Sequence, residues 1–197
     1  MGHFYLQGFE NIVFLFMASP DYKTTHPKNR KQWRLWLEKN HQPSMGIWFI
    51  YYKKQTGKPR VIYEEAVEEA LCFGWIDSLP RKSDEERIML KFTPRKPKSV
   101  WSKLNKTRIE KLITQKKMMP AGLVAIERAK QNGSWNTLTA SDNAAETNQL
   151  PDDLTKSFEK DKKAIKNFHQ FSISIRKQFL AWIDSAKQPE TRVQRIK

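Results

Sequence analysis

From Asn29 onward the chain alternates segments of helical spacing with short apolar runs. Asn29 to Asn40 places Trp33, Trp36 and Leu37 on one face, the pattern of a helix packed on a core. His41 to Gly46 breaks it. Ile47 to Tyr52, IWFIYY, is bounded by Gly46 and by the turn-forming KKQTGKP, and reads as a buried strand. Arg60 to Tyr63 reads as a second short strand. Val67, Ala70, Leu71 and Gly74 then fall at i, i+3, i+4 and i+7, which predicts a helix that Gly74 caps. Arg87 to Phe92 alternates Ile88, Leu90 and Phe92 with Met89 and Lys91, the pattern of a half-buried strand. Pro94 and Pro97 exclude regular structure over Thr93 to Ser99. Val100 to Lys117 returns to helical spacing with Leu104, Ile109, Leu112 and Ile113 inward. Pro120 opens another helix, which runs to Gln131 and ends at Asn132 and Gly133.

Thr137 to Asn148 is small and polar and reads as a linker. Beyond it, Pro151 to Ile196 is helical throughout, with Phe168, Phe171, Ile175, Phe179 and Trp182 as the buried positions. The expected fold is α+β: a small β-sheet packed with helices over residues 29–136, a linker over 137–150, and an all-helical C-terminal subdomain over 151–197. Residues 1–28 read as an N-terminal extension, in part non-native, with Met17 as an alternative start. Its apolar run, Asn11 to Ala18, follows Glu10 and no Lys or Arg, a poor match to a signal peptide.

Charge changes the picture. On a wheel of about 100° per residue, Glu64, Glu65, Glu68 and Glu69 gather opposite Val67 and Leu71. Like charges four apart weaken a helix by roughly 0.2–0.5 kcal/mol per pair, so this acidic face needs compensation. From Arg81 to Lys117 there are thirteen Lys and Arg against four Asp and Glu, most of the whole-chain surplus of +15. The acidic helix and this basic segment are therefore expected to face each other or share a cleft. A pI near 9.9 predicts attraction to polyanions such as nucleic acid, lipopolysaccharide or anionic membrane. No run approaches the ~18 apolar residues of a membrane-spanning helix.

Four stretches carry a resemblance: ALCFGWIDS, FTPRKPKSVWSKLNK, MMPAGLVAIERAKQNGSW and AKQPETRVQRI. Together, from about Trp33 to Ile196, they resemble the bacteriocin-protection family, the YdeI/OmpD-associated proteins. The resemblance implies protection against bacteriocins and cationic antimicrobial peptides and a link to an outer-membrane porin. It supplies no reaction and no catalytic residues.

Candidate chemistry is sparse. Cys72, the single cysteine, excludes an intramolecular disulfide and a cysteine-based zinc site. Neighbouring glutamates and the end of its helix disfavour a thiolate, so it reads as a packed side chain. His3, His26, His41 and His169 show no metal-ligand spacing, and there is no GxGxxG or Walker-type loop. Asp77 in GWIDS reads either as a turn cap or as a partly buried carboxylate paired with Arg95 or Lys96. The proline-rich loop joins Arg95, Lys96, Lys98 and Lys103 to Trp101, Ser102 and Asn105. That set suits a phosphate, a carboxylate or stacked single-stranded bases, unless Trp101 only anchors the loop. Near the end, Glu190 and Thr191 are placed to cap a helix, while Arg192 reaches a distant acid such as the glutamate face.

The resulting expectation is a non-enzymatic binding protein with a mixed-charge cleft built from Glu65, Glu68, Trp75, Asp77, Arg95, Lys96, Lys98, Trp101, Lys103, Asn105 and Arg192. Its partner would be a cationic peptide or an anionic envelope component, with a porin added by resemblance. No catalytic residue, metal or cofactor is implied. The alternatives are a nucleic-acid-associated basic protein and an enzyme using Asp77 with a nearby glutamate. The lone cysteine and the lack of an export signal point to the cytoplasm, and the resemblance to the periplasm.

Overall fold

The Asn29 side chain accepts the backbone N–H of Gln32 at 3.0 Å and so starts α1, Arg30–Asn40, which turns Trp33 and Leu37 fully inward. The structure, a computed structural model, describes residues 22–197. The apolar run from Asn11 to Ala18 and the question of Met17 lie outside the described residues. Among the described residues four strands form a mixed sheet in the order β1-β2-β4-β3: β1 is Thr24–Thr25, β2 Ile47–Tyr52, β3 Trp75–Lys82 and β4 Arg87–Pro94. Ile47 and Phe49 of β2 and Leu90 and Phe92 of β4 are buried, and Trp33 packs on Phe49 at 4.7 Å and Phe92 at 5.3 Å. Trp48, on the other face, is half-buried beneath Arg81, 4.9 Å away. One covered face and one wet face explain the alternation in β4.

The expected strand at Arg60 to Tyr63 does not form. Tyr63 is the first residue of α2, Tyr63–Cys72, and the preceding residues are irregular. The missing strand is β3. It carries Pro80 and a register shift between Asp77 and Pro80, both tolerated because β3 is at the sheet edge. β4 also runs further than its prolines predicted, to Pro94 opposite Trp75.

Gly74 ends α2 with φ +74°. A Cβ there would lie 3.1 Å from Ala121 O and Ala125 Cβ of α4, Pro120–Gln131. At Gly122 the approach is closer still, with a Cβ only 2.3 Å from Cys72 O. These glycines let α4 cross the end of α2. Ser102 caps α3, Lys103–Thr114, which is shorter than predicted at both ends. Ile109 and Leu112 are buried as expected, but Leu104 and Ile113 are exposed, and Asn105 and Arg108 take inward positions because that side of α3 meets Glu64.

The segment read as a linker is helical: α5, Thr139–Thr147, packs along α8, Ile173–Asp184, and buries Ala145. With α6 (Asp152–Lys160), α7 (Lys162–Gln170) and α9 (Pro189–Ile196), these helices enclose a second core of Ala145, Leu154, Phe168, Leu180 and Ile183. Phe168 is buried as expected. Phe171, Ile175, Phe179 and Trp182 are not; Trp182 is 50% exposed. α8 has two apolar stripes, and its neighbours cover the one containing Leu180 and Ile183. Among the described residues, no helix is long and apolar enough to cross a membrane.

Candidate functional site

Two of the four glutamates of α2, Glu68 and Glu69, are closed over, while Glu64 stays exposed and Glu65 half-buried. Arg30 of α1 donates from Nη1 to Glu68 at 2.8 Å and from Nε to Glu69 at 2.5 Å, and Arg34 donates to Glu69 at 2.8 Å. Lys111 reaches Glu68 at 3.0 Å, and Arg108 holds Glu64 through two contacts. Glu68 and Glu69 are only 4% and 2% exposed. The expected pairing with the basic segment thus exists through Arg108 and Lys111, but it is a closed seam rather than a cleft, and α1 supplies the other cations. Arg108 holds the Glu64 carboxyl below its ordinary range. Burial pushes Glu68 up, and Lys111 and Arg30 outweigh it, so Glu68 also ends below its ordinary range. Burial, reinforced by Glu69, raises the Cys72 thiol to about 11, as its setting predicted. Glu65 is half-buried and makes no ion pair among the described residues.

Asp77 lies in a strand, so it caps no turn, and its partner is neither Arg95 nor Lys96. It accepts the Tyr63 hydroxyl at 2.8 Å; burial and then Asp77 push Tyr63 up to about 12. Arg95, 8% exposed, stacks 3.5 Å above the Trp101 ring and donates from Nη1 to Val100 O at 3.1 Å. Burial brings Arg95 down to about 10. Trp101 is itself buried against Trp135, so it anchors the loop, while Lys96 and Lys98 are exposed. Lys103 leaves the loop for Glu146 at 2.5 Å, and Asn105 accepts from Arg108 at 2.7 Å. Trp75 is buried and donates to His41 O at 3.1 Å. Arg192 does reach acids, but they are Asp153 and Asp184 of the C-terminal helices. Pro189 opens α9 and Gln188 precedes it without a side-chain cap, so Thr191 and Glu190 do not cap.

Four cavities stand out among the described residues, and no glutamate of α2 lines any of them. A groove of about 180 Å³ runs between Phe158, Phe168, Phe171, Phe179 and Ile183, with Arg195 at its side. A shallower hollow continues it over Ile175, Phe179 and Trp182. A third, about 420 Å³, lies between Tyr22, Trp36, Asn40, Pro43 and Met45. The fourth is a small space beside Arg95 and Arg128. Among the described residues no three His, Cys, Asp or Glu are placed to hold a metal ion. The groove was missed because its aromatics were read as core. Their excess over what one helix face can bury was the available signal.

Residues 25–125 match the family described as a domain of unknown function, DUF8412. The chain belongs to that family. Residues 147–197 match a second family model, Bacteriocin-protection, YdeI or OmpD-Associated. The division follows the two buried clusters: the DUF8412 match covers most of the core around the sheet, and the second match covers α6 to α9. The resemblance read from the sequence therefore narrows. AKQPETRVQRI lies in the bacteriocin-protection match, whereas ALCFGWIDS and FTPRKPKSVWSKLNK lie in the DUF8412 match. No curated protein and no solved structure matches the chain.

Proposed function

We propose that the protein is a non-enzymatic binding protein contributing to resistance to bacteriocins or cationic antimicrobial peptides, and that it works through the exposed apolar groove of its C-terminal helices. One observation carries this reading: the segment matching the bacteriocin-protection family is also the segment that leaves Phe171, Ile175, Phe179 and Trp182 uncovered. Burial and ion pairing of Glu68 and Glu69, with Glu64 held by Arg108, leave only part of the acidic face on which a cationic peptide would have docked. The groove takes an amphiphile, apolar contact being worth about 25 cal/mol per Å². The sign of its headgroup follows from charge. Arg195 flanks the groove, α7 beside it exposes Lys162, Lys163 and Lys166, and the chain carries +15 overall. The ligand is thus an acidic membrane lipid, the same chemistry cationic peptides attack, and occupying it shields that target.

The test is co-sedimentation of the full chain with vesicles of phosphatidylcholine alone or mixed with phosphatidylglycerol. Binding to the acidic vesicles is expected, with at least a tenfold loss in the Phe179→Asp/Trp182→Asp variant. Absence of vesicle binding sinks the proposal. So does undiminished binding by the variant, which is what a purely electrostatic nucleic-acid type of surface would give.

A further inference from the structure

Arg95 is buried in a way the fold does not explain. Its Nη1 donates to Val100 O, but Nε and Nη2 have no hydrogen-bond partner among the described residues, although both are buried. Those two nitrogens share one edge of the guanidinium, a fork whose N–H groups pair with two oxygens of an oxyanion or converge on one. Leaving buried charged donors unmatched is costly, so such a pair calls for an acceptor. Asp77 lies near enough to favour the charged guanidinium, yet forms no ion pair with it. The acceptor must come from elsewhere.

Arg95 lines the small cavity between the β4–α3 loop and α4, together with Lys96, Trp101 and Arg128. Ala125 and Ala129 of α4 complete the wall, and their short side chains leave the space open. It measures about 10 Å³, room for one water-sized group. The loop is held in place: Asn132 donates to Pro97 O at 2.7 Å, Ser99 N–H to Lys96 O at 2.9 Å, and Arg95 N–H to Gly74 O at 3.0 Å. Lys96 and Arg128 are exposed and have no carboxylate partner among the described residues. We propose that this cavity is a binding site for a phosphate-class oxyanion, which inserts one oxygen towards Arg95 and leaves the others at the mouth with Lys96 and Arg128. The site is separate from the groove on α8 and stands without it.

The experiment is calorimetric titration and thermal unfolding of the full chain with inorganic phosphate, against sodium chloride at equal ionic strength. Saturable binding and a phosphate-specific rise in Tm are expected. The Lys96→Ala/Arg128→Ala variant, which alters only exposed side chains, binds at least tenfold more weakly. Arg95→Lys, which keeps the charge but lacks the fork, also weakens binding. A parallel arm uses vesicles containing phosphatidic acid. Binding to these alone, lost in the Lys96→Ala/Arg128→Ala variant but kept in Phe179→Asp/Trp182→Asp, assigns the oxyanion to a lipid headgroup rather than the free ion. Identical responses to phosphate and chloride without vesicle binding, or an unchanged Lys96→Ala/Arg128→Ala variant, overturn the proposal.

Discussion

Arg108 grips Glu64 side-on, Nε to Oε1 at 2.7 Å and Nη2 to Oε2 at 2.5 Å, and so fastens α3 to α2. The arginine side chain is 8% exposed and the glutamate 49%, so loss of the glutamate leaves a charge stranded inside. Glu64→Ala is expected to cost about 1.5–3 kcal/mol in urea unfolding. Glu85→Ala, in an exposed pair with Lys82, is expected to stay within about 0.5 kcal/mol. Equal costs for the two would contradict the seam.

The same seam sets the response to acid. Glu64 and Glu68 titrate lower in the folded chain than their ordinary 4.5. The stability they supply is present above the unfolded pKa and is lost as pH falls through the folded one. Urea midpoints followed downward from about pH 6 are expected to drop below that value, and less steeply in Glu68→Gln. A parallel fall in both proteins would show that the carboxylate of Glu68 is not involved.

Cys72 is fully buried and its thiol is raised to about 11. A disulfide reagent at about pH 8 is expected to leave the native protein unlabelled and to react once urea unfolds it. Rapid native labelling would mean that the end of α2 is open.

The orientation of α8 is tested by a pair of truncations. Leu180→Ala removes a fully buried side chain and is expected to cost about 2–5 kcal/mol. Phe179→Ala removes a side chain that is 43% exposed and stacks on Phe171 at 5.6 Å, and is expected to cost about 1 kcal/mol. The reverse order would place the aromatic stripe inside.

Gly122→Ala forces a Cβ against the Cys72 carbonyl, and backbone cannot yield as a flexible side chain does. A loss of about 1–3 kcal/mol is expected by thermal unfolding. A neutral result would show that α4 does not cross the end of α2 so closely.

Much of this architecture was legible locally. α1, α2 and β4 followed from a 3.6- or two-residue period, β2 from an unbroken apolar run after Gly46, and α4 from Pro120 at its start and Asn132 and Gly133 at its end. β3 was not, because Asp77, Ser78 and Pro80 break alternation in a strand whose edge position permits them. The site was less legible. Arg95 and Trp101 of the expected cleft do meet, but Lys103 turns away to Glu146 and Arg192 to Asp153.

The sequence by itself determined that α1, α2, β2 and β4 form, that the chain carries +15, and that Cys72 sits among groups that disfavour a thiolate, because each depends on composition or on neighbours a few positions away. Only the tertiary structure decided that Arg30 and Arg34 seal Glu68 and Glu69, and which stripe of α8 stays wet. Periodicity states that a face is apolar. Whether another element arrives to cover it depends on packing between segments distant in the chain.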